Sequence, residues 1–168
     1  MGYNGLSVGT IPATVATRFK QAQPFVVEQE ETAISTIVPP PRPAERALEL
    51  ALAAARTAHE NRGRDIVVLD MRELTTMCDY FLIVSGTSRR QLHAISEEID
   101  HCLEDDMGDH RQGIEGYQDS GWILLDYGSL VVHIFEDELR EYFDLENLWA
   151  GAKHVPLPFI DEPSDPPQ

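Results

Sequence analysis

The sequence predicts an α/β fold: one domain with a mixed β-sheet flanked by helices. Three observations predict it. Short β-branched apolar runs at Arg64–Met71 and Asp79–Gly86 lie between two helical stretches, a later pair of apolar runs is parted by a single Gly-Ser step, and 168 residues suffice for one core of useful size. Strands interleaved with helices, together with at least one hairpin, call for a sheet that is not uniformly parallel.

The elements follow in order. Gly, Thr and Ser are scattered through residues 1–43, which end in "VPPPRP" and are expected to form a disordered arm. Met1–Val27 has no acidic residue and carries Arg18 and Lys20, a faint echo of a transit peptide with too few basic residues to make one. Ala44, Ala47, Leu48, Ala51, Leu52 and Ala55 recur at helical spacing, and Gly63 stands where that helix would stop. The runs at Arg64–Met71 and Asp79–Gly86 are nearly all apolar, as strands covered on both faces should be. Ser88 and Gln91 have capping-box spacing, and Leu92, Ile95, Ile99 and Leu103 form one stripe of a second helix reaching about Met107. The stretch "GWILLDYGSLVVHIFED", Gly121–Asp137, supplies two strands around a tight turn at Gly128 and Ser129. "DELREYFDLENLWAG" then closes the domain, 44–155, with one or two short helices, and the proline- and acid-rich residues 156–168 are expected to be a disordered tail.

Composition narrows the function. Lys and Arg number 13 against 29 Asp and Glu, a formal charge of -16 that repels phosphate backbones and anionic membranes and suits a basic protein partner. No direct nucleic-acid specificity is expected. Cys78 and Cys102 make neither a disulfide framework nor a zinc spacing, which suits a reducing, cytoplasmic setting, and no apolar run is long enough to span a membrane.

In the hairpin, a two-residue turn makes Tyr127 face Leu130 and Leu124 face His133. Alternation then places Ile123, Leu125, Tyr127, Leu130, Val132 and Ile134 on a core face, and Trp122, Leu124, Asp126, Val131, His133 and Phe135 on the other. The second set mixes large apolar residues with an acid and an imidazole, a composition that suits a protein interface around an aromatic anchor. As a catalytic pair Asp126 and His133 fit poorly. They sit diagonally, about 7–8 Å apart between backbones, and no nucleophile completes a triad.

Other motifs point to chemistry less well. "VSGTSRRQ", Val84–Gln91, has the strand, glycine turn and helix start that can hold an anion, but lacks a P-loop lysine and glycine spacing. Arg89 and Arg90 sit in the first helical turn, where positive charge opposes the helix dipole, so they suit surface positions or a partner's carboxylates. His93, Glu97 and His101 stack along one helix face, away from the apolar stripe, and read as a solvated stripe rather than metal ligands. Asp65, Asp70 and Asp79 flank strands without forming the alternate carboxylate pair that two-metal chemistry uses. No metal or cofactor is expected.

"DIVVLDM", "CDYFLIVSGTSRRQ", "EGYQDSGWILLDYGSLVVHIF" and "REYFDLENLW" together resemble, in order and spacing, the ribosomal silencing factor family, RsfS, also called Iojap. The resemblance spans about Ala44–Val155. It implies a domain similar in outline to nucleotidyltransferases but without their catalytic carboxylates, and therefore no enzyme. It implies binding to the large ribosomal subunit through ribosomal protein L-fourteen, a steric block to subunit joining, and lower translation when nutrients are scarce. The family's key tryptophan falls on Trp122, with Leu124, Asp126 and His133 around it. The "DYF" and "GTSxRQ" motifs fall on Asp79, Tyr80 and Phe81 and on Gly86, Thr87, Ser88, Arg90 and Gln91. Cys78 departs from the threonine common before "DYF", and the long arm is not part of the family core.

On this reading Trp122→Ala leaves the fold intact and abolishes co-purification with large subunits. The competing readings are a nucleotidyltransferase-like phosphoryl-transfer enzyme using the Gly86–Arg90 turn and the dispersed aspartates, and an acidic adaptor with a non-ribosomal partner. A homodimer through a strand edge or hydrophobic face would compete with ribosome binding.

Overall fold

Strand β2, Tyr80–Gly86, is buried at every residue, and the sheet is built outward from it. The computed structural model describes residues 44–118 and 120–161; the expected arm, 1–43, and residues 162–168 lie outside them. The other strands are β1 (Arg64–Asp70), β3 (Gly113–Glu115), β4 (Trp122–Asp126), β5 (Leu130–Glu136) and β6 (Lys153–His154). They form one six-stranded sheet in the order β3-β4-β5-β2-β1-β6. β2 and β5 are parallel while the other neighbours are antiparallel, so the mixed sheet predicted from the sequence is present.

Helices α1 (Ala44–Glu60) and α2 (Arg89–His101) cover one face, and α2 continues as a π-helical turn, Cys102–Asp106. The other face lies beneath α3 (Asp137–Phe143) and α4 (Leu145–Leu148). The buried stripe of α1 is Ala47, Leu50, Ala51, Ala54, Ala55 and Ala58, while Leu48 and Leu52 are only half-buried. The alanines let the helix approach the sheet closely, and the two leucines lean on its margins.

Gly63 follows α1 as expected, but the left-handed residue there is Arg62, at φ 62°. Gly63 is needed for a close approach: a Cβ there would lie 2.7 Å from Val84 Cγ1 and 2.8 Å from the Ala58 carbonyl oxygen. Gly63→Ala is therefore expected to cost about 1–3 kcal/mol, as overpacking against backbone does. A thermal melt matching wild type would refute that.

At the end of the helix-covered core, the Tyr127 hydroxyl donates to Asp100 Oδ1 at 2.7 Å, and Arg111 pairs with the same carboxylate. Burial, followed by that carboxylate, pushes the Tyr127 phenol far above its usual range. The chain also stays folded beyond the boundary expected at Val155. α5, Pro158–Asp161, lies over α1, with Arg56 4.8 Å above the Phe159 ring and His59 packed beside it. The apolar pair Leu157 and Phe159 accounts for this, because both pack on the core despite the flanking prolines.

Candidate functional site

The hairpin has the register that the turn at Gly128 and Ser129 implied. Trp122 faces Phe135, Leu124 faces His133 and Asp126 faces Val131. Tyr127 N–H donates to the Leu130 carbonyl at 2.9 Å, and Gly128 takes φ 80°, a conformation that a side chain would strain. Ile123, Leu125, Tyr127, Leu130, Val132 and Ile134 all join the core beneath α1 and α2. Trp122, Leu124, Val131 and Phe135 fall in a second core on the opposite face.

That second face is not open to solvent as its composition suggested. Trp122 is 5% exposed, Leu124 4% and His133 0%. The cover comes from α3, α4 and the residue that ends α4: Leu139 and Phe143, then Leu145 and Trp149, repeat at a spacing of four and turn inward. A left-handed Asp144, φ 42°, joins the two helices and redirects the chain between the pairs. This cover is what the sequence reading missed. The signal was the paired i, i+4 apolar spacing in "LREYFDLENLW".

Beneath the cover the aromatic rings pack into one cluster. Trp122 lies 4.7 Å from Phe135 and 4.7 Å from Phe143, centroid to centroid. Its indole Nε1–H donates to His133 Nδ1 at 3.3 Å, which requires an unprotonated Nδ1. The imidazole meets Phe81 edge-on at 4.8 Å and lies parallel to Phe135 at 6.1 Å. Burial among these rings holds the His133 pKa down to about 3. Neutral at ordinary pH, His133 is a packing residue with one polar handle. Trp149 packs edge-on against Phe81, and its buried Nε1–H has no acceptor among the described residues.

Asp126 is half-buried and works in the turn, its Oδ1 accepting from Gly128 N–H at 2.8 Å. Asp79 lies at the start of β2, where its N–H donates to the Ser129 carbonyl at 2.8 Å. Tyr80 points to the helix-covered core, opposite Trp122, and Arg72 sits 5.3 Å over its ring. Arg90 is exposed in the first turn of α2, which packs on the face of the sheet opposite Trp122 and starts beyond the Gly86 end of β2, roughly 20 Å of strand from Tyr80 at about 3.3 Å per residue. The structure thus gathers Trp122, Leu124 and His133 and leaves Asp79, Tyr80 and Arg90 apart from them.

The glycine turn already carries its own acceptor. Gln91 Oε1 accepts from Thr87 N–H at 2.7 Å and from Thr87 Oγ1 at 2.8 Å, while Gln91 Nε2 donates to the Arg62 carbonyl at 2.9 Å. Ser88 caps α2 by accepting from Gln91 N–H, so the capping pair is present with the return bond shifted one residue back. Asp70 is held by Arg72 Nε and Nη2 at 2.9 and 2.5 Å, and that pairing lowers its carboxyl pKa. His93 stacks on Tyr117, and Glu97 accepts from the Tyr117 hydroxyl at 2.6 Å. Among the described residues no group of three His, Cys, Asp or Glu could hold a metal ion.

Residues 44–168 match a family model described as ribosomal silencing factor during starvation. Ribosomal silencing factor RsfS of Bacillus subtilis is 39% identical over 106 residues, 63% of this chain and 89% of that protein. The chloroplastic protein Iojap of Zea mays is 33% identical over 112 residues, 67% of this chain and 48% of that protein. A crystal structure of a protein from Chromobacterium violaceum, 32% identical, superposes with a TM-score of 0.60 over 64% of this chain and 88% of the other.

Proposed function

The chain belongs to the ribosomal silencing factor family, and from that premise we propose that it binds the large ribosomal subunit through ribosomal protein L-fourteen and blocks joining of the small subunit. Membership implies ribosome association and translation regulation. The finer reading adds the docking partner, the steric mode and a role under nutrient limitation in the cytoplasm. The observation that carries it is the family match over residues 44–168, which takes in every described element.

The action is steric, with no chemical step. Asp70, a candidate metal ligand of the enzymatic alternative, is engaged by Arg72, and the Thr87 N–H and hydroxyl of the Gly86–Gln91 turn are engaged by Gln91. The acidic balance, 29 against 13, favours a basic protein surface and speeds its docking. Docking takes place on the α3–α4 side of the sheet, with Trp122, Leu124 and His133 shaping that side from within and Asp126 at its margin. Asp79, Tyr80 and Arg90 serve the fold or the periphery of the contact.

The test is sedimentation and subunit joining. The protein is expected to travel with the large subunit in a cell extract and to lower the yield of joined ribosomes from purified subunits in proportion to its concentration. If it stays at the top of the gradient at concentrations well above those of the subunits, the reading fails.

A further inference from the structure

Among the described residues six large hydrophobics are exposed, and four of them, Tyr142 (75%), Leu148 (56%), Leu74 and Met77 (both 40%), belong to the cover and the β1–β2 loop. The loop and the cover meet. Leu74 Cδ2 lies 3.4 Å from where a Cβ on Gly151 would be, in the turn leaving α4, and Lys153 Nζ donates to Glu73 Oε1 at 2.7 Å across the same junction. α3 is thus two-sided. Leu139 and Phe143 turn inward, while Tyr142 stands in solvent.

The charges around these side chains are one-sided. Arg140 is paired with Glu146, Arg64 with Asp137, Arg72 with Asp70 and Lys153 with Glu73. Each of these four cations already has a carboxylate. Glu138, Glu141 and Asp144 are exposed on the same helical segment, so the surface presents apolar side chains within negative charge. Such a surface disfavours a phosphate backbone or an anionic membrane and complements a basic protein that offers an apolar seat.

We infer that the outer surface of α3–α4 and the adjoining β1–β2 loop, led by Tyr142 and Leu148, is the docking surface for a basic protein face on the large subunit. The inference rests on the ribosomal reading above and assigns a surface to it. Trp122 is then a positioning residue: its tilted ring contact with Phe143 fixes the cover whose other side meets the partner.

The experiment compares wild type with the double variant Tyr142→Ser, Leu148→Ser for binding to purified large subunits, with thermal melts and light scattering of each protein. Both side chains stand largely in solvent, so the melt is expected to stay within a few degrees of wild type, while affinity falls at least about tenfold, the loss of 1.4 kcal/mol. Ile114→Ser, an exposed apolar residue on β3, is expected to bind as wild type does. Glu138→Lys with Glu141→Lys is expected to weaken binding and flatten its salt dependence.

Equal binding by the double variant would overturn the inference while leaving the ribosomal reading intact. So would an equal loss in Ile114→Ser, or a dimer that the double variant abolishes without changing subunit binding. Failure of wild type itself to bind would remove both. If the double variant melts far below wild type, the Glu138 and Glu141 pair decides: unchanged affinity and salt dependence there overturns the inference.

Discussion

Trp122→Ala is expected to destabilise the domain by about 3–5 kcal/mol, the range for emptying a large aromatic site in a packed core. The effect is first one of stability. The indole is 5% exposed, lies between Phe135 and Phe143 at 4.7 Å from each, and donates to His133. Removing it leaves a void on the sheet side and takes from the cover the contact that holds Phe143. A domain of this size has a total stability of about 5–15 kcal/mol, so the variant should melt many degrees lower and bind weakly because the cover has loosened. Trp122→Phe should keep most of the stack and lose the hydrogen bond, a loss of about 1–2 kcal/mol. Thermal and urea unfolding measure both. A Trp122→Ala protein with a wild-type melt and no large-subunit binding would restore the direct-anchor expectation drawn from the sequence.

That expectation shows what could be read from residues alone. The turn at Gly128 and Ser129 fixed register, register fixed the faces, and both are present in the hairpin. The difficulty was judging what lay over the second face. An acid and a histidine among large apolar residues suggested solvent, but Asp126 lies in the turn and His133 is accommodated as a neutral ring by Trp122. Whether a half-polar strand face is open or covered depends on a segment elsewhere in the chain. Here that segment is short, broken at Asp144 by a left-handed residue, and too irregular to show one continuous helical stripe. The same limit applies at the C-terminal side, where Phe159 finds a place against Arg56 and His59 that no local pattern announces. Local periodicity sets each element and its faces, and tertiary contacts decide which faces stay wet.

Acid should unfold the protein through His133, and the sign follows from its lowered pKa. In the unfolded chain an imidazole takes up its proton near pH 6.5, whereas in the fold burial holds it neutral until about pH 3. Between those values the unfolded state binds more protons. Stability is therefore fully present above about pH 6.5 and is lost as pH falls toward 3, at up to roughly 1.4 kcal/mol per pH unit from this one group. Protonation would also force a proton onto the Nδ1 that accepts from Trp122, leaving two donors facing each other in the ring stack. Two other groups act in the same range or near it. His101, beside Asp105, has a raised pKa and contributes oppositely, its stabilisation fading as pH rises, but the pair is exposed and screened by salt. Asp70 has a lowered pKa and adds its own loss only in stronger acid, below the ordinary carboxylate range. His133→Gln removes the titration while keeping a polar side chain. It is expected to be less stable than wild type at pH 7 and to lose less stability between pH 6.5 and 4, so that the two urea-unfolding curves converge as pH falls. Parallel curves across that interval would show that His133 does not carry the acid sensitivity.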